Sequence, residues 1–302
     1  MTRIVLLFLH GGGFTKECWK PIIQRLQKKP LLQRAPCEFV SLDWRYHGER
    51  SDHSVDGKVS FVDGDKSKPR VDHHLRVWPE WGPGELKEEI KKVRQGGDES
   101  KTNIIGIGHS MGGTAMLSVE INNPGTFNGI IAFEPVHNNG KSTPEQSSSL
   151  ADMLVSITSS RPREWNTWDE AVDHFKTGKM YRRWHPESID AFLEKGVFKA
   201  ADGKFKLATT PLQEASIYCH QPMKLEFGRV GCPVTLEHAA RSYFFNADAA
   251  REVAERNPDK ITIGDGIPNT THSMVLEDPD TCADHILKSL EKLPVFQQNA
   301  KL

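Results

Sequence analysis

Residues 104–113 read Ile-Ile-Gly-Ile-Gly-His-Ser-Met-Gly-Gly, and they constrain the fold more than any other stretch of the chain. Apolar residues at 104, 105 and 107 suit a buried strand. Gly108-x-Ser110-x-Gly112 then predicts a strand-to-helix turn too tight for side chains at 108 or 112, which lifts a serine hydroxyl above the end of a sheet. Ser110 is therefore the candidate nucleophile. Glycine and serine are common in loops, so the pattern needs support from its surroundings.

A serine hydroxyl needs a base to become nucleophilic near neutral pH. The chain has 13 histidines. His272 has the best setting, because it follows the strand-like run Lys260-Ile-Thr-Ile-Gly264 and precedes a helix expected from about Pro279 to Leu290. The chemistry also needs backbone amides aimed at the oxygen that becomes negative. His10-Gly-Gly-Gly13, directly after the apolar run Ile4–Leu9, can supply one. The two expected oxyanion donors are the amides of Gly12 and Met111, with Gly13 as the alternative to Gly12.

In this order these pieces resemble the α/β-hydrolase superfamily, over about residues 3–135 and 225–290. Phe39-Val-Ser-Leu-Asp-Trp-Arg-Tyr-His-Gly-Glu-Arg-Ser51 resembles a further strand and loop of that superfamily. The resemblance implies a mostly parallel sheet; the superfamily's first hairpin is missing from this sequence, so either the sheet is a shorter one of about six strands or the sequence is trimmed. It divides the chain into core (1–136), an inserted helical cap (137–230), core (231–293) and a tail (294–302).

The triad acid departs from the common pattern. The usual position, after Cys232–Glu237, holds Tyr243; Glu237 sits inside that strand and Asp248 comes later. An alternative acid position in the superfamily lies one strand earlier, and there the strand expected within Phe127–Val136 ends on Glu134, 24 positions after Ser110. Glu134 is taken as the acid, with Asp248 in reserve. A carboxylate there would orient His272 and stabilise its imidazolium.

The remaining sequence narrows the function classes. The chain has 302 residues, net charge −1 and no basic block, which disfavours nucleic acid as a partner. Five scattered cysteines without C-x-x-C spacing point to reduced thiols and no structural metal. No run approaches the ~20 apolar residues of a membrane helix. Residues 52–81 are expected to be a long loop, and Gly82-Pro83-Gly84 to open the helix before the nucleophile strand. Cap helices are expected near 150–160, 166–177 and 186–195, and Ala201–Lys204 as a turn. Trp184 and His185 are candidate substrate-pocket residues.

The sequence ends Ala300-Lys301-Leu302, a variant of the Ser-Lys-Leu peroxisomal address, so a peroxisomal import receptor is an expected partner, with the cytoplasm as the alternative location. With that ending, the cap pattern and the Glu-Pro strand end, the chain looks like fungal peroxisomal serine hydrolases, a group that includes a lipase and toxin-biosynthesis-associated hydrolases. That resemblance implies a carboxylic ester with an apolar acyl chain, cleaved through an acyl-enzyme on Ser110 without a cofactor. The same triad could serve an acyl-CoA thioesterase, with Arg161, Arg163, Arg182 and Arg183 meeting the CoA phosphates, or a carbon–carbon bond hydrolase. A ligand-binding protein on the same fold is the non-enzymatic alternative.

Overall fold

The structure, a computed structural model, describes residues 3–138, 143–220 and 223–299. Its strands are β1 (Arg3–Leu9), β2 (Cys37–Leu42), β3 (Lys58–Phe61), β4 (Pro69–Asp72), β5 (Thr102–His109), β6 (Gly129–Phe133), β7 (Glu164–Trp165), β8 (Val197–Lys199), β9 (Phe205–Leu207), β10 (Val234–Glu237) and β11 (Ile261–Ile263). The α-helices are α1 (Lys20–Leu26), α2 (Pro30–Arg34), α3 (Trp78–Gln95), α4 (Met111–Asn122), α5 (Pro144–Ser159), α6 (Trp168–Thr177), α7 (Pro186–Gly196), α8 (Pro211–Ile217), α9 (Ala247–Arg256), α10 (Met274–Glu277), α11 (Pro279–Leu290) and α12 (Pro294–Asn299).

Six strands form one sheet in the order β11-β10-β6-β5-β1-β2, and every neighbouring pair is parallel. Parallel strands require crossovers, which place helices on both faces and bury the strands from both sides. Continuous apolar runs are the result: Val5 to Phe8 and Ile104, Ile105 and Ile107 are inaccessible to solvent. β5 lies near the middle of the sheet, so whatever leaves its carboxyl end is flanked by the ends of β1 and β6. In open parallel sheets that edge is where ligands bind.

The expected cap region contains α5, α6, α7 and α8, and among the described residues it also holds a three-stranded antiparallel sheet, β7-β9-β8. Strands of two or three residues are too short to show a period in sequence. Ala201–Lys204 is the β8–β9 turn, with Gly203 at φ +85°. The region is fastened to the core by the Arg25 guanidinium, which bonds Glu187 of α7 and Asp280 of α11, and by the His185 amide donating to Leu276 O at 2.8 Å.

Two expectations around residues 52–84 are corrected. The predicted long loop contains the β3–β4 hairpin. The helix expected to open at Gly82-Pro83-Gly84 instead begins at Trp78 and runs through Pro83. Proline inside a helix forfeits one backbone hydrogen bond. Here burial outweighs that loss: Trp78 is 1% exposed, and Gly82 lies close to the rings of Trp78 and Trp44. Pro79 takes the early helical position that proline favours.

A second glutamate–histidine pair sits at the end of β10. Glu237 is 2% exposed, and its Oε2 meets His285 Nδ1 at 2.7 Å. That hydrogen bond raises the His285 pKa above its usual 6.5, against burial, which lowers it. A raised folded-state pKa stabilises the fold below the unfolded value, and the gain fades as pH rises through the folded value. His285 is partly open to solvent, so the contribution is below about 1 kcal/mol. In urea unfolding, the stability gap between wild type and His285→Gln should be wider at about pH 5.5 than at about pH 8. Equal gaps at both would show that the pair does not titrate in this way.

Candidate active site

Ser110 leaves β5 at φ 51°, ψ −118°, outside the regions open to most L-residues. Such strain survives only where the surroundings over-determine it. Here the Ser110 amide donates to Phe133 O at 2.9 Å, and α4 starts at the next residue. The glycines make the turn possible. A Cβ at Gly108 would stand 2.6 Å from the Gly113 amide nitrogen, and one at Gly112 would stand 2.3 Å from Leu9 O. Both obstacles are backbone and cannot rotate away. Gly112→Ala should therefore cost about 3 kcal/mol or more, read as a lower melting temperature or loss of soluble protein. An unchanged melting temperature would mean that the turn relaxes freely.

His272 follows β11, as expected. Its Nε2 lies 3.0 Å from Ser110 Oγ and its Nδ1 lies 2.7 Å from Glu134 Oε2. Ser110 and His272 are partly exposed, whereas Glu134 is 1% exposed. Glu134 directly follows β6 at φ 41°. Its Oε1 accepts the Ala239 amide at 2.9 Å and its Oε2 also accepts the Ser242 hydroxyl at 2.7 Å. Burial pushes this carboxyl up, but the hydrogen bond and charge of His272, with the Ser242 and Ala239 donors, outweigh burial and hold it below the usual carboxylate value. Asp248, the reserve acid, lies on α9, highly exposed and paired with Arg251 at 2.5 Å. Tyr243 is almost fully exposed. Glu237 holds His285 instead.

Further residues brace this arrangement. The buried His109 ring places Nε2 2.7 Å from His272 O, tying the nucleophile strand to the histidine loop. Burial holds His109 well below its usual pKa, so the neutral ring donates through Nε2–H. Phe244 packs on the His272 ring at 4.5 Å between centroids. Ser242 and Phe244 were not singled out from sequence; they sit in an irregular loop with no periodicity to flag them.

The glycine loop after β1 is held from both sides. Trp44 Nε1 donates to His10 O at 3.0 Å, and the Gly13 amide donates to His47 Nε2 at 3.0 Å. Burial pushes the His47 pKa down to about 3, so its Nε2 stays a bare acceptor. The Gly13 amide is thus already used, which removes it as the alternative oxyanion donor. The Gly12 and Met111 amides have no hydrogen-bond partner among the described residues; Met111 opens α4, where amides have no partner within the helix.

Gly11 lies against Ser110 Cβ, and Gly13, Phe14 and Thr15, further along the chain, line a pocket. Phe175, Tyr181, Trp184, Phe192 and Leu207 give it apolar walls. Ser110 itself does not line it. Trp184 meets Phe14 edge-on at 5.7 Å, and Phe14 stacks on His109 at 5.8 Å. His185 is not in this lining. It sits at the N-terminus of α7, where its Nδ1 accepts the Glu187 amide, so its expected pocket role gives way to helix capping. Three of the four arginines considered for a CoA phosphate site have partners within the protein: Arg161 pairs with Glu214, Arg163 with Asp56, and Arg183 reaches Asn269 O.

A model described as the alpha/beta hydrolase family matches residues 6–285. An abhydrolase domain-containing protein of Alternaria alternata, ACTT2, is 26% identical over 227 residues, covering 63% of this chain and 83% of its own length. The solved structure of the peroxisomal alpha-beta-hydrolase Lpx1 from Saccharomyces cerevisiae superposes with a TM-score of 0.71 at 18% identity, covering 96% of this chain and 77% of that one. A novel esterase from Mycobacterium tuberculosis superposes with a TM-score of 0.61 at 16% identity, covering 97% and 85%.

Proposed function

The chain belongs to the alpha/beta hydrolase family, and from that premise we propose that it is a serine hydrolase that cleaves a carboxylic ester through an acyl-enzyme on Ser110. The observation that carries this reading is the continuous line Ser110 Oγ–His272 Nε2–His272 Nδ1–Glu134 Oε2, with separations of 3.0 and 2.7 Å across its two hydrogen bonds.

In this mechanism Ser110 Oγ attacks the ester carbonyl while its proton passes to His272 Nε2. Glu134 accepts from His272 Nδ1 and stabilises the imidazolium. The carbonyl oxygen, now negative, is held by the Gly12 and Met111 amides. Collapse expels the alcohol, which takes the proton from His272 Nε2 and leaves the acyl group on Ser110. Water then attacks with His272 as base, and the acid leaves as Ser110 regains its proton. No step calls for a cofactor. The apolar walls at Phe175, Trp184 and Phe192 support an acyl chain that is at least partly hydrocarbon.

Hydrolysis of p-nitrophenyl esters from acetate to palmitate tests the reaction, and a fluorophosphonate probe tests the nucleophile. Covalent labelling at Ser110 with turnover of at least one ester is the expected result. Labelling without ester turnover would redirect the search to thioesters or carbon–carbon bonds. Absence of labelling would favour a ligand-binding protein.

The same proposal includes a peroxisomal site of action. It is supported by the structural likeness to Lpx1 and by Ala300-Lys301-Leu302, which lies outside the described residues. A fluorescent fusion that loses punctate localisation when these three residues are removed would support it; unchanged localisation would reject import through them.

A further inference from the structure

One end of the pocket beside the glycine loop is polar. Arg161, which leads from α5 to β7, and Glu214 of α8 form an ion pair there, with side chains 16% and 11% exposed. Tyr218 also donates its hydroxyl to Glu214, at 3.1 Å. Arg161 Nε is fully enclosed and has no hydrogen-bond partner among the described residues. The pair sits near the proposed reacting centre. A Cβ on Gly13 would stand 2.4 Å from Glu214 Cδ, so the Glu214 carboxyl packs directly on Gly13, the neighbour of Gly12. Consecutive Cα atoms are about 3.8 Å apart. Arg161 and Gly13 line the same pocket, joined through Glu214, so a group on Arg161 would belong to a part of the acyl chain beyond the carbonyl held by Gly12.

Charge selects the kind of group. Arg161 and Glu214 cancel, so a carboxylate attracted by one would be repelled by the other at similar range. An uncharged oxygen gains a charge-assisted hydrogen bond from the guanidinium without that opposition. Thr15, Tyr181 and Thr209 are the other polar side chains of the lining, and the charged guanidinium is the strongest donor among them.

We propose that Arg161, held by Glu214, is a specificity-determining residue that binds an uncharged hydroxyl or keto oxygen near the carbonyl of the acyl group, making the substrate an oxygenated acyl ester rather than a plain alkyl one. This rests on the ester-hydrolase reading. A site built to bond a substrate hydroxyl discriminates strongly against the analogue without it, because its own polar groups are then left unpaired.

The test compares p-nitrophenyl octanoate with its 3-hydroxy and 4-oxo derivatives and with the p-nitrophenyl monoester of suberate. The enzymes are wild type and Arg161→Met/Glu214→Met, a double change that leaves no unpaired buried charge. Arg161→Gln/Glu214→Gln serves if the apolar pair does not fold. In wild type, kcat/KM for at least one oxygenated ester should exceed that for octanoate by about tenfold or more. In the double variant this ratio should fall towards one. A wild-type ratio of one or below, a ratio unchanged in the double variant, or a preference for the suberate monoester would overturn the proposal. If no ester is turned over, the ester-hydrolase reading fails separately. Calorimetric binding of methyl 3-hydroxyoctanoate, methyl 4-oxooctanoate and methyl octanoate to Ser110→Ala, with and without the double change, then decides the role of Arg161. Tighter binding of an oxygenated ester that disappears with the double change supports it, and equal binding overturns it.

Discussion

Ser110→Ala is expected to lower kcat for ester hydrolysis by about 10⁵–10⁶-fold while the protein stays folded. The effect is large because residues that act as one unit fail together: without Oγ there is nothing for His272 to deprotonate and no acyl-enzyme to form. Residual catalysis would come from amides that still bind the developing oxyanion. The change removes a single oxygen and relieves no contact that the fold needs, since the Ser110 hydrogen bonds to Phe133 and Thr114 run through its backbone. Substrate binding should survive, so kcat falls far more than KM rises. A matched drop in labelling by fluorophosphonate completes the measurement. A variant that keeps more than a few per cent of wild-type kcat would remove Ser110 from the mechanism.

The second large effect concerns the acid. Glu134→Gln should lower kcat by about 10³–10⁴-fold, whereas Asp248→Asn should leave it within about twofold of wild type. The amide of glutamine offers one oxygen and one NH₂. With the oxygen kept towards the Ala239 amide, the NH₂ would face His272 Nδ1 and favour the tautomer that carries its proton on Nε2, where Ser110 needs an acceptor. Glu134 is buried with three donors on its two oxygens, while Asp248 is exposed and engaged with Arg251. Activity lost in Asp248→Asn and retained in Glu134→Gln would reverse the assignment. Ser242→Ala should have a milder effect, because Glu134 keeps two of its three donors.

Both positions were named from sequence, but on different grounds. Ser110 and Gly112 were legible locally: apolar spacing into G-x-S-x-G describes a strand, a tight turn and a helix within ten residues. The same holds for the centre of the sheet, where β1, β5 and β6 coincide with apolar runs because parallel strands are buried on both faces, whereas β2 at the edge has no fully buried residue. Glu134 was reached through a family resemblance, since nothing local distinguishes it from Glu237, another buried glutamate at a strand end. What separates them is which histidine the crossovers bring near: His272 for one, His285 for the other. The start of α3 at Trp78 was not legible, because the Gly-Pro-Gly signal is local while Trp78 is buried against residues far away in sequence, His220 among them at 5.0 Å between ring centroids.

The chain's order of apolar runs, glycine turns and helix starts thus determined the parallel sheet and the placing of Ser110 and His272 at its carboxyl edge. Those features depend on spacing within one element or between neighbours, and spacing is written in the sequence. Only the tertiary structure decided the rest. It gave the Gly13 amide to His47, Ser242 to Glu134, and Arg161 to Glu214, 53 positions away. Each of these is a polar side chain choosing among several possible partners. That choice follows from which donors and acceptors are left in reach once the apolar surfaces have packed, a property of the folded contacts and not of any local pattern.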